Sequence, residues 1–517
     1  MTIVRVPAAG AIGVIKDLSA HELPPNAWTD SKNIRFLDGL AYQFYGHGEV
    51  YNTPSFTPQH VLPCNVGGAR YWVYTTAAKT FCVTLTAGVA VHTDITHLVP
   101  RTGVVNQWTS TLLSGIPVIN AGDALSVPMT WNLNTANKLV DLANWPASTY
   151  CKSIRAYKNY LVALNITKGT TNYPFMVKWS NPADPGSVPI SWDITDATKD
   201  AGETDLAEGY DPIIDGLQLR DSFIIYKEAS IWRMDFTGGA YVFRFTKVLG
   251  TSGAMNKNCI VEIDGQHVVL TGSDVLVHDG QSAVSVLDKA TRRFLFQSID
   301  VNNVGNCFVF KNPFFNEIFV CYPSIGNTSC NKAMVWNWKD KTVSFREIPN
   351  LNHATFGPVD NGLMSNWSQD SAPWDSDLSL WDGPDFVPST ARAMMASNDT
   401  KLFLMDASSS FNGVIPDAYM ERRGLSFGAA EKMKIVKGIR PRISGNTGST
   451  VLVQIGSSPD AFTDPVYGPA MTHTIGTTVS NDCMVAGRYI AVKLSTGTAY
   501  QWRLDSYDLV VEEAGDW

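Results

Sequence analysis

A hairpin-sized unit recurs along most of this chain, and its spacing limits the fold more than any other feature. Each copy is an apolar run, a short turn and a second run rich in β-branched or aromatic residues. The clearest span Ile154–Leu164, Leu217–Tyr226, Ile260–Leu270 and Cys307–Tyr322. Asp264-Gly265 is a strong turn signal, because both central residues of such a hairpin need positive φ. Turn centres fall near residues 67, 115, 159, 221, 265, 314 and 398, and four of the six spacings lie between 44 and 49 residues. A β period in the forties with scarce helical periodicity predicts a β-propeller of six or seven blades, since a small sheet with two apolar faces must be covered on both sides. The two long spacings contain polar, proline-rich insertions near 180–207 and 359–390.

Residues 1–58 read as an N-terminal segment with the closing strand, 59–415 as the propeller, and 416–517 as an additional β-sandwich-like module. The fold class expected is therefore all-β. Only 17% of residues are charged, which suits extensive subunit contact, because buried charge is costly to desolvate. The net charge of −8 is the wrong sign for a protein that grips nucleic acid and suits a conduit wall instead. The eight cysteines lack any C-x-x-C spacing, and several sit in apolar runs, so they are expected as reduced core residues in a protein assembled in the cytosol. The opening residues lack the order of a signal peptide, and no run approaches a membrane span, so neither is expected.

Several constellations resemble chemical motifs. Gly424-Leu-Ser426-Phe-Gly428 matches the nucleophile-elbow pattern but lacks the strand-to-helix context that strains the serine. His92, Asp94 and His97 are close in sequence, yet on a strand the two histidines face opposite ways. Asp375, Asp377 and Asp382 resemble a calcium loop but miss its glycine and its final acid. Asp193, Asp196, Asp200, Glu203 and Asp205 crowd one insertion and read as solvated loop charge rather than a glycosidase pair. No catalytic, cofactor or metal residue is assigned.

Two interaction surfaces are candidates. Trp367, Trp374 and Trp381 stand seven residues apart in the second insertion and could dock a partner. Arg422, Arg423, Lys432, Lys434, Lys437, Arg440 and Arg442 make a basic stretch that could face an acidic neighbour or simply protect an edge strand.

Several segments carry a resemblance. They are residues 23–39 (LPPNAWTDSKNIRFLDG), 177–186 (VKWSNPADPG), Ser191-Trp-Asp193, Ala201-Gly-Glu203, 225–234 (IYKEASIWRM), 241–245 (YVFRF), Trp374-Asp-Ser-Asp377 and Trp381-Asp382. In this order, over about residues 10–510, they resemble the tail nozzle proteins of short-tailed bacteriophages, including the packaged-DNA stabilisation and tail tubular proteins. That resemblance implies a propeller subunit in a six-fold ring at the virion tail. The ring would meet head-to-tail adaptor proteins, carry tail fibres or spikes nearby, hold back double-stranded DNA without sequence specificity and open for ejection. The alternatives are a receptor- or glycan-binding propeller on the virion surface and a propeller glycosidase.

Overall fold

The computed structural model describes residues 2–516 except 17, 67–68, 87–88, 100–106, 240, 360–390 and 499. Trp367, Trp374, Trp381 and the Asp375–Asp382 loop lie outside the described residues. Five separate four-stranded antiparallel sheets follow one another along the chain, spanning 60–94, 109–141, 149–205, 213–249 and 260–285. A sixth, seven-stranded sheet contains two further blades joined through one long strand, Val343–Pro358. Its first half pairs with Cys330–Asn337 and completes blade 6. Its second half pairs with Ala391–Ser397 and opens blade 7. The last strand of blade 7 is Gly46–Glu49, from near the N-terminus, paired with Lys401–Ser408. The result is a seven-bladed β-propeller.

Seven apolar clusters, one at each blade interface, hold the ring together. In Tyr160–Lys168, Leu161 and Ala163 enter the cluster shared with blade 2, whereas Tyr160, Val162 and Leu164 enter the one shared with blade 4. The period of two in a strand thus feeds two cores from one sheet. The ring closes where Trp72, Tyr74 and Phe81 of blade 1 meet Met394, Leu402 and Leu404 of blade 7. Each large side chain so buried contributes about 1.5–3 kcal/mol, and no blade could bury both its faces alone. Turn chemistry sets the hairpins: Ser114-Gly115 and Asp264-Gly265 hold positive φ at both central residues, the geometry that matches strand twist. The described residues contain one α-helix, Lys289–Ser298, between blades 5 and 6, with Asp288 accepting from the Ala290 and Thr291 amides at 2.9 Å.

A β-sandwich of two six-stranded sheets completes the molecule. The C-terminal residues supply most of it, but Thr2–Val6, Asp30–Lys32, Ile34–Leu37 and Leu40–Gln43 add four strands. One core unites Trp28, Ile34 and Phe36 with Met420, Ile439, Val453, Val492 and Leu509. The sandwich rests on the long strand of blade 6: the Val14 amide donates to the Val343 carbonyl (3.1 Å), Asn33 to that of Phe345 (3.0 Å), and the Glu347 amide to Asn33 Oδ1 (2.8 Å).

Candidate functional site

First strands of all seven blades line a single axial cavity of about 320 Å³. Its lining includes His60, Ser110, Arg155, Asp215, Asn258, Lys311 and His353, one from each successive blade or its lead-in. Six of these interlock around the axis. Arg155 donates from Nε to Asp215 Oδ1 (2.9 Å), from Nη2 to Asp215 Oδ2 (2.5 Å) and Asn258 Oδ1 (2.9 Å), and from Nη1 to the Ser110 carbonyl (2.8 Å). His60 Nε2 and Ser110 Oγ share a hydrogen bond of 2.7 Å. The His60 and His353 rings lie 3.9 Å apart, and His353 Nδ1 accepts from the Val61 amide at 3.4 Å.

Burial controls the electrostatics here. It opposes ionisation of Asp215, but the Arg155 charge, with hydrogen bonds from Arg155, Ser153 and the Asn258 amide, outweighs it and holds the carboxyl below its usual range. Burial drives His353 down to about 3, and the Arg155 charge pushes the same way. His60 falls well below its ordinary value through burial, the neighbouring His353 and Arg155. Ser110 and His60 therefore have the spacing of a nucleophile and its base. His60 is nevertheless a poor proton acceptor, and its Nδ1 has no carboxylate partner among the described residues. Asp215, the nearest acid in the network, is committed to Arg155. As arranged, these groups tie blades together rather than activate a hydroxyl.

A second buried chain links blades 4 and 5. Tyr226 Oη lies 2.7 Å from His267 Nδ1 and 2.5 Å from His278 Nε2. His267 Nε2 meets the Gln218 carbonyl (2.9 Å), and the Gly280 amide donates to His278 Nδ1 (3.2 Å). These partners fix the tautomers: His278 donates to Tyr226, which donates to His267, which donates to Gln218. Burial lowers His267 to about 3 and His278 to about 4.

The remaining sequence candidates take structural positions. Ser426 lies in a turn between two strands, Tyr419–Leu425 and Lys432–Gly445, with its carbonyl accepting from Ala429. No helix follows it. His92 meets the Tyr74 hydroxyl (3.0 Å) and the Tyr51 carbonyl (2.5 Å), while Asp94 pairs with Lys79 and Lys138. Asp193 and Asp196 cap the turns of Thr195 and Thr198. Asp200 accepts from Tyr160 (3.2 Å), and Glu203 pairs with Lys168 and Lys178. Among the described residues no group of three or more His, Cys, Asp or Glu is arranged to hold a metal ion. All eight cysteines are free thiols, seven of them buried.

The seven basic residues do not form one open positive face. Arg422 is buried and donates to the carbonyls of Ala20 (2.8 Å) and Leu23 (2.7 Å). Lys434 is buried among the carbonyls of Ala429, Lys432 and Arg488. Arg423 pairs with Glu421 and Asp464, Lys432 with Glu513, Lys437 with Glu512 and Arg442 with Asp508. Arg440 stands exposed, in register with Asp508. The sequence could not show these pairings, because the acids lie on strands up to about 80 residues away.

No local sequence motif marks the axial network. Its signal is a polar residue in an otherwise apolar inner strand, as at His60, Asp215 and His353.

No family model and no curated protein matches the sequence. Among solved structures the chain is similar to PorZ, an essential surface component of the type-IX secretion system of Porphyromonas gingivalis. That match has 9% identity and a TM-score of 0.37, and covers 75% of this chain but 44% of PorZ. It is also similar to a catalytically inactive virginiamycin B lyase from Staphylococcus aureus with quinupristin, at 11% identity and a TM-score of 0.39, covering 70% of this chain and 98% of the lyase. The chain thus spans less than half the length of PorZ. Similarity this distant carries no argument about activity. No described helix is long and apolar enough to cross a membrane.

Proposed function

We propose that this chain is a structural subunit of a short-tailed phage tail nozzle, building a ring that closes the DNA channel, retains the genome and opens for ejection. The observation that carries the proposal is where the landmark segments fall. Residues 23–39 bring Trp28 into the sandwich core and Arg35 to the junction with the propeller. In 177–186 and Ala201-Gly-Glu203, Trp179 lies flat against Gly202, where a Cβ would come within 2.3 Å of the indole. Trp192 is buried 4.6 Å from Trp145 and pins the insertion to blade 3. These residues build architecture, which suits a structural role better than a reaction centre.

The axial cavity supports the same reading. At about 320 Å³ and crossed by the Arg155–Asp215 pair, it is far too small for a DNA duplex. Any duplex path lies outside the single propeller, between copies of the chain, and a net charge of −8 keeps phosphate from sticking to the walls. Opening is then a shift between two packings of the ring, biased by contacts elsewhere in the tail. Adaptor proteins and fibres or spikes are its neighbours in this scheme.

The test is a stop codon early in the gene. Particles assembled without the chain should fill with DNA and then lose it, and supplied protein should restore retention. Particles that keep their genome without the chain would contradict the proposal.

A further inference from the structure

We infer that a pocket at one end of the sandwich binds the C-terminal carboxylate of a partner polypeptide whose last side chain is apolar. The pocket has a volume of about 470 Å³, ordinary for a ligand site. Met433, Pro459, Val466 and Ala486 give it apolar walls, Ser457 adds a hydroxyl, and Arg488 is its single charged lining residue. Strands of both sheets meet here. Gly487 ends Asn481–Gly487 in one sheet, Ser457 belongs to Thr450–Ser458 in the other, and a Cβ on Gly487 would come within 2.5 Å of Ser457 Cβ and 3.1 Å of Ser457 Oγ. Glycine permits this close approach, which sets the Ser457 hydroxyl beside the residue preceding Arg488.

Three observations point to this ligand. The first is an unmet hydrogen-bonding demand. Arg488 Nε is buried without a partner, and the guanidinium has no hydrogen bond or ion pair among the described residues. Buried donors need acceptors, and a guanidinium carries five N–H groups. The second is an unbalanced charge. Lys434 stands behind Arg488, buried, and donates to the carbonyls of Ala429, Lys432 (2.9 Å) and Arg488 itself (2.7 Å). Its three donors are spent there, and neither cation has an ion pair among the described residues. The neighbouring acids are committed elsewhere: Glu513 to Lys432, Asp464 to Arg423, and Asp460 to the Phe462 and Thr463 amides. Glu431 is exposed and does not line the pocket. The third is the path to the pocket. Alternation along Asn481–Gly487 exposes Met484 and Ala486 on one face, and the next residue of that face is Arg488.

A carboxylate meets the guanidinium fork with two parallel charge-assisted hydrogen bonds, the Ser457 hydroxyl stands ready as a third donor, and the apolar walls receive the last side chain. A phosphate would set a second negative charge against those walls with one cation open to it, and unpaired charge is costly to desolvate. Met484, 80% exposed, favours a polypeptide over a free acid, because an extended chain laid along this face covers Met484 and Ala486 and delivers its terminus to Arg488. This site does not depend on the nozzle reading, because its binding is measured on the isolated chain.

The test titrates a fluorescein-labelled hexapeptide ending in Ala-Val-Leu, with a free carboxylate, against the full chain and reads fluorescence anisotropy. Binding should be saturable, and the same peptide with a C-terminal amide should bind about tenfold more weakly or worse, the loss of a charge-assisted contact. Arg488→Gln should weaken the acid to the level of the amide. Val466→Asp should abolish binding by setting a negative charge at the rim; Val466 is exposed, so this variant keeps the fold. Arg440→Gln, exposed on Lys432–Gly445, should change nothing. Isovalerate, a free apolar acid, should displace the peptide only at far higher concentration. No saturable binding, equal binding of acid and amide, a preference for the acid that survives Arg488→Gln, or isovalerate binding as tightly as the peptide would overturn the site. Denaturant unfolding of each variant checks that the fold is kept.

Discussion

Arg35 of the sandwich donates two hydrogen bonds, of 2.6 and 2.9 Å, to the Glu317 carboxylate of propeller blade 6. Both side chains are buried, and Arg35 also reaches Asp406 of blade 7 at 2.8 Å, which in turn accepts from Arg346 at 3.1 Å. The Arg35 guanidinium lies 3.6 Å from the centroid of Phe315 and 4.6 Å from that of Phe44. Two cations and two anions thus sit in a closed apolar cage at the junction of the two lobes. Removing one member strands the rest, which costs roughly 3–5 kcal/mol for a buried pair. Glu317→Leu should lose about that much in urea unfolding. Arg35→Met combined with Glu317→Leu should lose less than Glu317→Leu alone, because no unmatched guanidinium remains. Equal losses would show that the charges do not act as a unit.

Tyr226 is the hinge of the buried His278–Tyr226–His267 chain. Tyr226→Phe keeps the ring and removes the one atom that both serves His278 and donates to His267. Two buried imidazole nitrogens are then unpaired, at about 1–3 kcal/mol each. A loss of roughly 2–6 kcal/mol in denaturant unfolding is expected, and a loss near zero would mean that water replaces the hydroxyl.

Five imidazoles are held neutral in the fold. Burial is the first cause at each: it lowers His47, His267 and His353 to about 3, His278 to about 4, and His60 well below the usual range. The unfolded chain protonates them near 6.5. Between that value and the folded ones the unfolded state binds more protons, so stability is complete above pH 6.5 and falls as the solution is acidified. The slope is at most roughly 1.4 kcal/mol per pH unit per imidazole. Urea midpoints should be flat from pH 7 to 8 and drop steeply from pH 6 to 4, and His353→Gln should make that slope shallower.

Gly202→Ala places a methyl group against the Trp179 indole, whose Nε1 donates to the Asp200 carbonyl at 2.8 Å. Overpacking of this kind costs about 1–3 kcal/mol. Thermal unfolding should fall accordingly, with a change in tryptophan fluorescence as the indole moves.

Local chemistry made the propeller legible. Six of the seven turn centres in the sequence fall on the first hairpin of blades 1 to 6, where alternation and Asp264-Gly265 or Ser114-Gly115 act within a few residues. The seventh, near 398, falls on the second hairpin of blade 7, between Ala391–Ser397 and Lys401–Ser408. The first hairpin of that blade contains the 359–390 insertion, and the unbroken strand Val343–Pro358 gives no turn to mark where blade 6 ends. The N-terminal share of the sandwich left no local trace either. Asp30 pairs with Glu421 and Val6 with Tyr507, contacts set by which apolar faces remain uncovered after the ring closes. Ion pairing was equally hidden: alternation of Lys432 and Lys434 shows which face each occupies, but not that one meets Glu513 and the other a nest of carbonyls.

Single-particle imaging of the purified chain and of intact particles tests the central claim most directly. The account predicts a six-fold ring at the tail tip, each subunit a seven-bladed disc carrying a sandwich, with the axis of every disc closed and the wide opening between discs. Dispersed single copies that never close into a ring and are missing from the tail would contradict it.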